Sequence, residues 1–173
     1  MHEIAIHLTY LYFSYTKSQK NMFSENISSI DIEQHVLNLM EQNPDSSVSN
    51  WDYLNITKKR NNTTDFLIFY EKASALGITN QEYAAILGVS TRKLNNLLRG
   101  YDSLPLEKYE KALRIFVVII HGIQIFGNQS RFAEWLKTYN PAITYIPIEL
   151  IRCVAGIQIV DDAITRIEYG VFT

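Results

Sequence analysis

Cysteine is almost missing from this chain: Cys153 stands alone among 173 residues. An internal disulfide is excluded, and so is any zinc site built on paired cysteines and histidines. His2, His7, His35 and His121 are scattered, so no metal site is expected. Without a disulfide framework the natural compartment is a reducing cytoplasm. A strong charge of one sign is also lacking. Sixteen basic residues face 18 acidic ones, a net charge of −2. That balance argues against a basic protein that coats nucleic acid non-specifically, while permitting a reader of DNA with a small local patch.

Long hydrophobic runs are missing too. Residues 4–15 are apolar and aromatic, but they lack the basic n-region and small-residue cleavage site of a signal peptide. They are shorter than the roughly 20 apolar residues a bilayer span needs. The run 115–126 is interrupted by His121, Gly122 and Gln124, and reads as a buried core helix rather than a membrane anchor. Catalytic signatures are absent: no glycine-rich phosphate loop, no G-x-S-x-G elbow. Asp161-Asp162 reads as a charge pair near the start of a helix, where the dipole favours acids. Cys153 has no histidine near it in sequence and reads as a small buried hydrophobe. An enzyme is not expected, nor is a cofactor.

What is present is apolar material, 47% of the chain against 20% charged, enough for a packed core. Its spacing is helical throughout, which predicts an all-α fold. We divide it into an N-terminal extension (1–61), a middle part (62–127) and a C-terminal part (128–173). In the extension, Ile32, Val36, Leu39 and Met40 predict a short helix within residues 30–40, while 17–29 and 43–50 read as linkers. In the middle part, Phe66, Phe69, Tyr70, Ala73 and Leu76 lie on one helix face, which Gly77 ends. Thr79-Asn80-Gln81-Glu82 fits a capping box. The helix behind it buries Tyr83, Ala84 and Leu87 and stops at Gly88. Ser90 caps a third helix with Leu94, Leu97 and Leu98 inward, closing at Gly100.

Residues 106–126 predict a long fourth helix with two apolar stripes: Leu106, Tyr109, Leu113, Phe116, Ile120 and Ile123, and Ile115, Val118, Ile119 and Phe126. A helix apolar on two faces needs cover on both, from its own chain or from a second copy. Gly122 within it implies a close helix–helix approach, which would fit a homodimer. In the C-terminal part, residues 131–138 place Phe132, Trp135 and Leu136 on one face. Asn140-Pro141 makes a turn, and Pro147 opens a short helix through Cys153 that Gly156 ends. Val160, Ala163, Ile164 and Ile167 mark a final helix, with Ile167 in the core, closing before Gly170.

The pair of short helices around Gly88-Val89-Ser90 has the features of a helix-turn-helix. Glycine allows the left-handed backbone at the turn, and Ala84 is small where the helices cross. The second helix presents Thr91, Arg92, Lys93, Asn95, Asn96 and Arg99 outward. In a major groove Arg92 and Lys93 suit guanine or phosphate, Asn95 or Asn96 suits adenine, and Arg99 suits phosphate. The alternative is a packing unit with an ordinary solvated face. Seven basic residues (Lys72, Arg92, Lys93, Arg99, Lys108, Lys111, Arg114) against six acidic ones in 62–127 is a weak phosphate-binding balance.

One ordered series is more specific. Phe126-Gly127, Ala133-Glu134-Trp135-Leu136, Asn140-Pro141-Ala142, Pro147-Ile148-Glu149-Leu150, Gly156, Val160 and Arg166-Ile167-Glu168-Tyr169-Gly170-Val171-Phe172 follow one another. The series resembles the toxin-binding domain of the Xre/MbcA/ParS antitoxin family. Upstream, Leu87-Gly88-Val89-Ser90 and Leu98-Arg99-Gly100 are similar to the Xre-like domain that family carries. The resemblance covers residues 62–173. It implies an Xre-like helix-turn-helix domain followed by a small helical toxin-binding domain. It further implies a RES-domain toxin partner that depletes NAD, whose active site the C-terminal part covers, and repression of the operon through operator DNA. The sequence ends three residues after Gly170. A helix closing there turns Tyr169, Val171 and Phe172 away from its own core, and aromatic side chains are good interface anchors. We therefore expect Arg166, Glu168, Tyr169, Gly170, Val171, Phe172 and Thr173 to meet the toxin, plugging its NAD pocket. A stand-alone Xre-type regulator without a toxin and an assembly protein that has kept the fold are the competing readings.

Overall fold

The segment Leu106–Phe126 folds as one unbroken helix, and the other elements pack around it. The computed structural model describes residues 32–42, 48–60 and 63–171. In these residues the chain forms α1 (Ile32–Gln42), α2 (Asn50–Arg60), α3 (Thr63–Ala75), α4 (Asn80–Leu87), α5 (Thr91–Leu98), α6 (Leu106–Phe126), α7 (Gln129–Lys137), α8 (Pro147–Leu150) and α9 (Val154–Glu168). Among the described residues there is no strand, only an isolated antiparallel bridge between Asn140 and Tyr145. The fold is all-α, as the helical spacing predicts. The readings of residues 4–15, 17–29 and 43–47, and of Phe172 and Thr173, lie outside the described residues.

Both stripes of α6 are covered within one chain. Tyr109, Ala112, Leu113 and every residue from Ile115 to Gly122 are buried, against α2 and α3 on one side and α7 and α9 on the other. The central rings are close: Phe69 of α3 lies 4.7 Å from Phe116 and 5.6 Å from Tyr109, centroid to centroid. The Tyr109 hydroxyl donates to the buried Asp65 carboxylate at 3.0 Å, whereas the buried Tyr83 hydroxyl and Thr57 Oγ1 have no hydrogen-bond partner among the described residues. One expectation is corrected: Leu106, at the head of the stripe, is exposed. The close helix–helix approach expected at Gly122 is present within the chain: a Cβ there would overlap the ring of Phe132 in α7.

Helix α2 was not foreseen. Tyr53, Ile56 and Thr57 form its buried edge at helical spacing, but the rest of the segment is polar and the contrast is faint. It is tied to α6 by Arg114, which sits 4.1 Å above the Tyr53 ring, donates to Asn50 Oδ1 at 3.1 Å and pairs with Glu110 at 2.8 Å. Helix α1 joins α3 through a Lys72–Glu33 ion pair of 2.6 Å.

Helices α4 and α5 have the caps their sequence encodes. Thr79 Oγ1 accepts the Glu82 N–H at 3.2 Å, and Glu82 accepts the Thr79 N–H at 2.8 Å. Gly88 takes φ 69°, and Ser90 Oγ accepts the Lys93 N–H at 3.1 Å. The hydrogen bonds from Thr79, first its N–H and then its hydroxyl, hold the Glu82 carboxyl below its ordinary 4.5. A depressed folded value means that this stabilisation is present above pH 4.5 and is lost as pH falls through the folded value. Thr79→Ala is expected to cost about 1 kcal/mol, or about 3 °C of Tm at neutral pH, and to shrink the acid-side loss. Thermal melts at pH 7 and below pH 4 check both.

Candidate functional site

The C-terminal part is built by a chain of local stops. Asn128 caps α7, its Oδ1 accepting the Ser130 N–H at 2.7 Å. Beyond α7, Asn140 Oδ1 accepts the Ala142 N–H at 2.9 Å and its own N–H donates to Tyr145 O at 2.9 Å, closing the 138–146 turn. Pro147 stands at the first position of α8, as expected, but α8 ends at Leu150 rather than Cys153. Gly156 does not end a helix: it lies in the first turn of α9. There its missing Cβ leaves room for the Leu150 carbonyl. Cys153 is not buried; it is exposed and caps α9, its Sγ accepting the Gly156 N–H at 3.3 Å.

Helix α9 buries Ile157, Val160, Ala163 and Ile164. A polar clasp holds it to α6. His121, buried in the apolar stretch of α6, has Nδ1 2.8 Å from Asp161 and Nε2 3.6 Å from Glu168. The first is a hydrogen bond; the second is an ion-pair distance, too long for one. Asp161 and Glu168 are seven residues apart, two helical turns, which puts both on the face toward His121. Asp161 is thus not an acid near a helix start: it lies in the middle of α9, which begins at Val154, and bonds His121. Asp161 also raises the Tyr53 phenol, which burial has already pushed well above its usual range.

Outside this clasp the surface is apolar and concave. Phe126, Phe132 and Trp135 form an aromatic cluster with centroids 5.4–5.9 Å apart. Phe126 and Trp135, with Asn140, Pro141, Ala142, Ala163, Arg166, Ile167 and Val171, line a groove of about 790 Å³. Trp135 and Ile167 are therefore half-buried walls of this groove rather than core. A second hollow of about 430 Å³ shares Phe126, Trp135, Asn140 and Pro141 and runs on past Arg131, Glu134, Thr138 and Tyr139.

Of the residues expected at a toxin contact, Arg166 and Val171 share the groove, drawn together by the Val171 N–H donating to Arg166 O at 2.9 Å. Tyr169 and Val171 are 56% and 50% exposed, and Gly170 turns the chain at φ 67°. Glu168 faces His121 instead. Residues 121–170 match the family model of the antitoxin Xre/MbcA/ParS C-terminal toxin-binding domain. No curated protein matches the chain. The groove, the clasp and the exposed end of α9 all lie within or beside this toxin-binding domain, and the partner it calls for is a toxin. The match starts at His121, inside α6, so the toxin-binding domain and the middle part share one continuous helix.

The surface expected to read DNA is α5. Thr91, Arg92, Asn95 and Arg99 are exposed, while Lys93 and Asn96 are half-buried. Lys93 pairs with Asp102 at 2.5 Å. That hydrogen bond, with one from the Ser103 N–H, holds the Asp102 carboxyl below its usual value. Three side chains tie the end of α3, the α3–α4 turn and the end of α4 to the C-terminal part. Lys137 Nζ donates to Gly77 O at 2.7 Å, and Gln129 Nε2 to Ala75 O at 2.5 Å. Lys111 Nζ donates to Ile86 O and, at 2.6 Å, to Arg152 O; desolvation, then Lys108, lowers its pKa. Among the described residues no three histidines, cysteines or carboxylates cluster as a metal site would need, and no single helix is long and apolar enough to cross a membrane.

Proposed function

We propose that this chain is the antitoxin of a toxin–antitoxin pair, that its partner is a RES-domain, NAD-degrading toxin, and that residues 128–173 silence it by covering its active site. The match of residues 121–170 to a toxin-binding domain carries this reading. The end of the chain from Arg166 onward, in which Tyr169, Gly170 and Val171 are exposed, is the segment that enters the toxin. The role is inhibitory and cytoplasmic, without catalysis or cofactor. Co-expression tests it: the RES-domain reading frame beside this gene should arrest growth alone and be relieved by this chain. Arrest that persists overturns the proposal.

Residues 62–127 supply the second activity, repression of the operon through operator DNA, with α4 and α5 as a helix-turn-helix. Two copies are needed to span a two-fold operator. The homodimer contact uses a surface other than the stretch Ile115–Gly122 of α6, which its own chain covers. Asp102 sets the electrostatics of the reading face by neutralising Lys93. Asp102→Ala is expected to raise operator affinity several-fold at low salt, with the gain shrinking as salt rises. Arg92→Ala with Lys93→Ala should abolish retention, and binding to operator DNA across a salt series reads both. A stand-alone Xre-type regulator would bind DNA in the same way and fail the co-expression test.

A further inference from the structure

The groove between α7, the 138–146 turn and α9 adjoins the end of α9, with which it shares Arg166 and Val171, and its chemistry specifies an occupant. We infer that it receives an apolar segment of the toxin, anchored by a bulky side chain against Phe126 and Trp135 and bearing a carboxylate that meets Arg166. The inference rests on the antitoxin reading.

Three observations carry it. The first is composition. The walls are Phe126, Trp135 and Ile167 and the small side chains Ala142 and Ala163, an apolar surface open to solvent. Contiguous exposed apolar surface of this kind marks a binding site. The second is charge. Among the described residues Arg166 is the charged one lining the groove itself, while Arg131 and Glu134 line the hollow that adjoins it. Asn140 is the other polar group, and its carbonyl oxygen is already taken by the Ala142 N–H. The groove thus offers donors and a positive charge, and its complement is apolar with an acidic group. The third is shape. The second hollow continues the groove past Tyr139, which is 58% exposed, so the site is elongated and fits a stretch of chain better than a compact small molecule.

A second copy of this chain is a poor occupant. A closed two-fold contact places the same patch on both partners, and the lining of this patch holds no carboxylate to meet Arg166. The toxin is the partner that the surrounding domain is built to hold. The two contacts then divide the work: the end of α9 covers the toxin's active site, and the groove grips a neighbouring segment of the toxin and fixes the direction of approach.

The test uses full-length chain and the catalytically inactivated RES-domain protein encoded beside it, with dissociation constants from calorimetry. Ala142→Trp fills the groove from an exposed turn position, and Arg166→Glu reverses its charge from the surface of α9. Both leave residues 170–173 intact. Loss of a buried aromatic anchor site predicts about 30-fold weaker binding for Ala142→Trp. Charge reversal predicts about 10-fold for Arg166→Glu, falling as salt rises. Melting curves establish that each variant folds; Arg166 also belongs to the run that enters the toxin, so if Ala142→Trp does not fold, Ala142→Lys, which puts a second positive charge on the same exposed wall, decides the matter with the same expected loss. Wild-type affinity in the groove variants, with binding lost on removal of 170–173, overturns the groove and leaves the antitoxin reading standing. Wild-type affinity in Ala142→Trp with a change in oligomeric mass assigns the groove to a second copy and overturns the inference. No binding of the toxin by the unaltered chain overturns both.

Discussion

Gly156→Ala is expected to lower Tm by about 6–12 °C and to remove toxin capture with it. In a helix the exchange ordinarily stabilises, by about 1 kcal/mol, because alanine is the best helix former and glycine among the worst. Here the sign reverses. The added methyl falls on the carbonyl and Cα of Leu150, which are backbone atoms and cannot swing aside. Relief requires moving α8 away from the start of α9, and Gly156 also supplies the N–H that Cys153 caps. Overpacking without an escape route costs about 3 kcal/mol or more. At 2–4 °C per kcal/mol for a chain of this size, the shift follows. Gly122→Ala is an internal standard: its methyl meets the Phe132 ring, a side chain with some freedom to turn. Its cost should be smaller, about 1–2 kcal/mol. Thermal denaturation of the two variants gives the order, and a Gly156→Ala chain as stable as the parent would show that α8 and α9 are not so closely joined.

Removing Gly170–Thr173 should have the opposite profile. Tyr169, Gly170 and Val171 are exposed, and the core of α9 ends at Ile164. The His121–Asp161 clasp lies two turns upstream and survives. Tm should therefore change by less than about 2 °C, within the range of surface changes. Neutralisation, by contrast, should be lost, with toxin affinity falling about 100-fold or more, because the segment that the proposed function sends into the toxin is gone. Stability and function are separated in one variant, which a merely structural tail would not allow. Full protection by the shortened chain would place the inhibitory contact elsewhere.

The rigid connection between the two halves bears on regulation. Helix α6 runs through both, and Lys111, Lys137 and Gln129 each donate across the join to backbone carbonyls. On the proposed function, a toxin held by α7 and α9 would rest on elements hydrogen-bonded to the α3–α4 turn and the end of α4.

Much of this protein is legible without coordinates because its signals are local. Thr79 and Glu82, Ser90, Pro147, and the glycines after α3 and α4 act within three or four residues, and the two stripes of α6 follow from a single period. Such patterns determined the all-α class, the paired helices α4 and α5, and the extent of the central helix. Locality also explains the errors. Gly156 looks like a helix stop, yet it is required by the carbonyl of a residue in the preceding helix. Helix α2 shows almost no amphipathic contrast, because only Tyr53, Ile56 and Thr57 are covered. Tertiary packing alone decided which apolar residues stay out of the core: Trp135 and Ile167 wall a groove, while Phe132 fills the space beside Gly122. It also joined His121 to Asp161 and Tyr109 to Asp65 across 40 and 44 residues of chain. No local pattern encodes these pairs, because a buried polar group takes whatever partner the folded packing brings within reach.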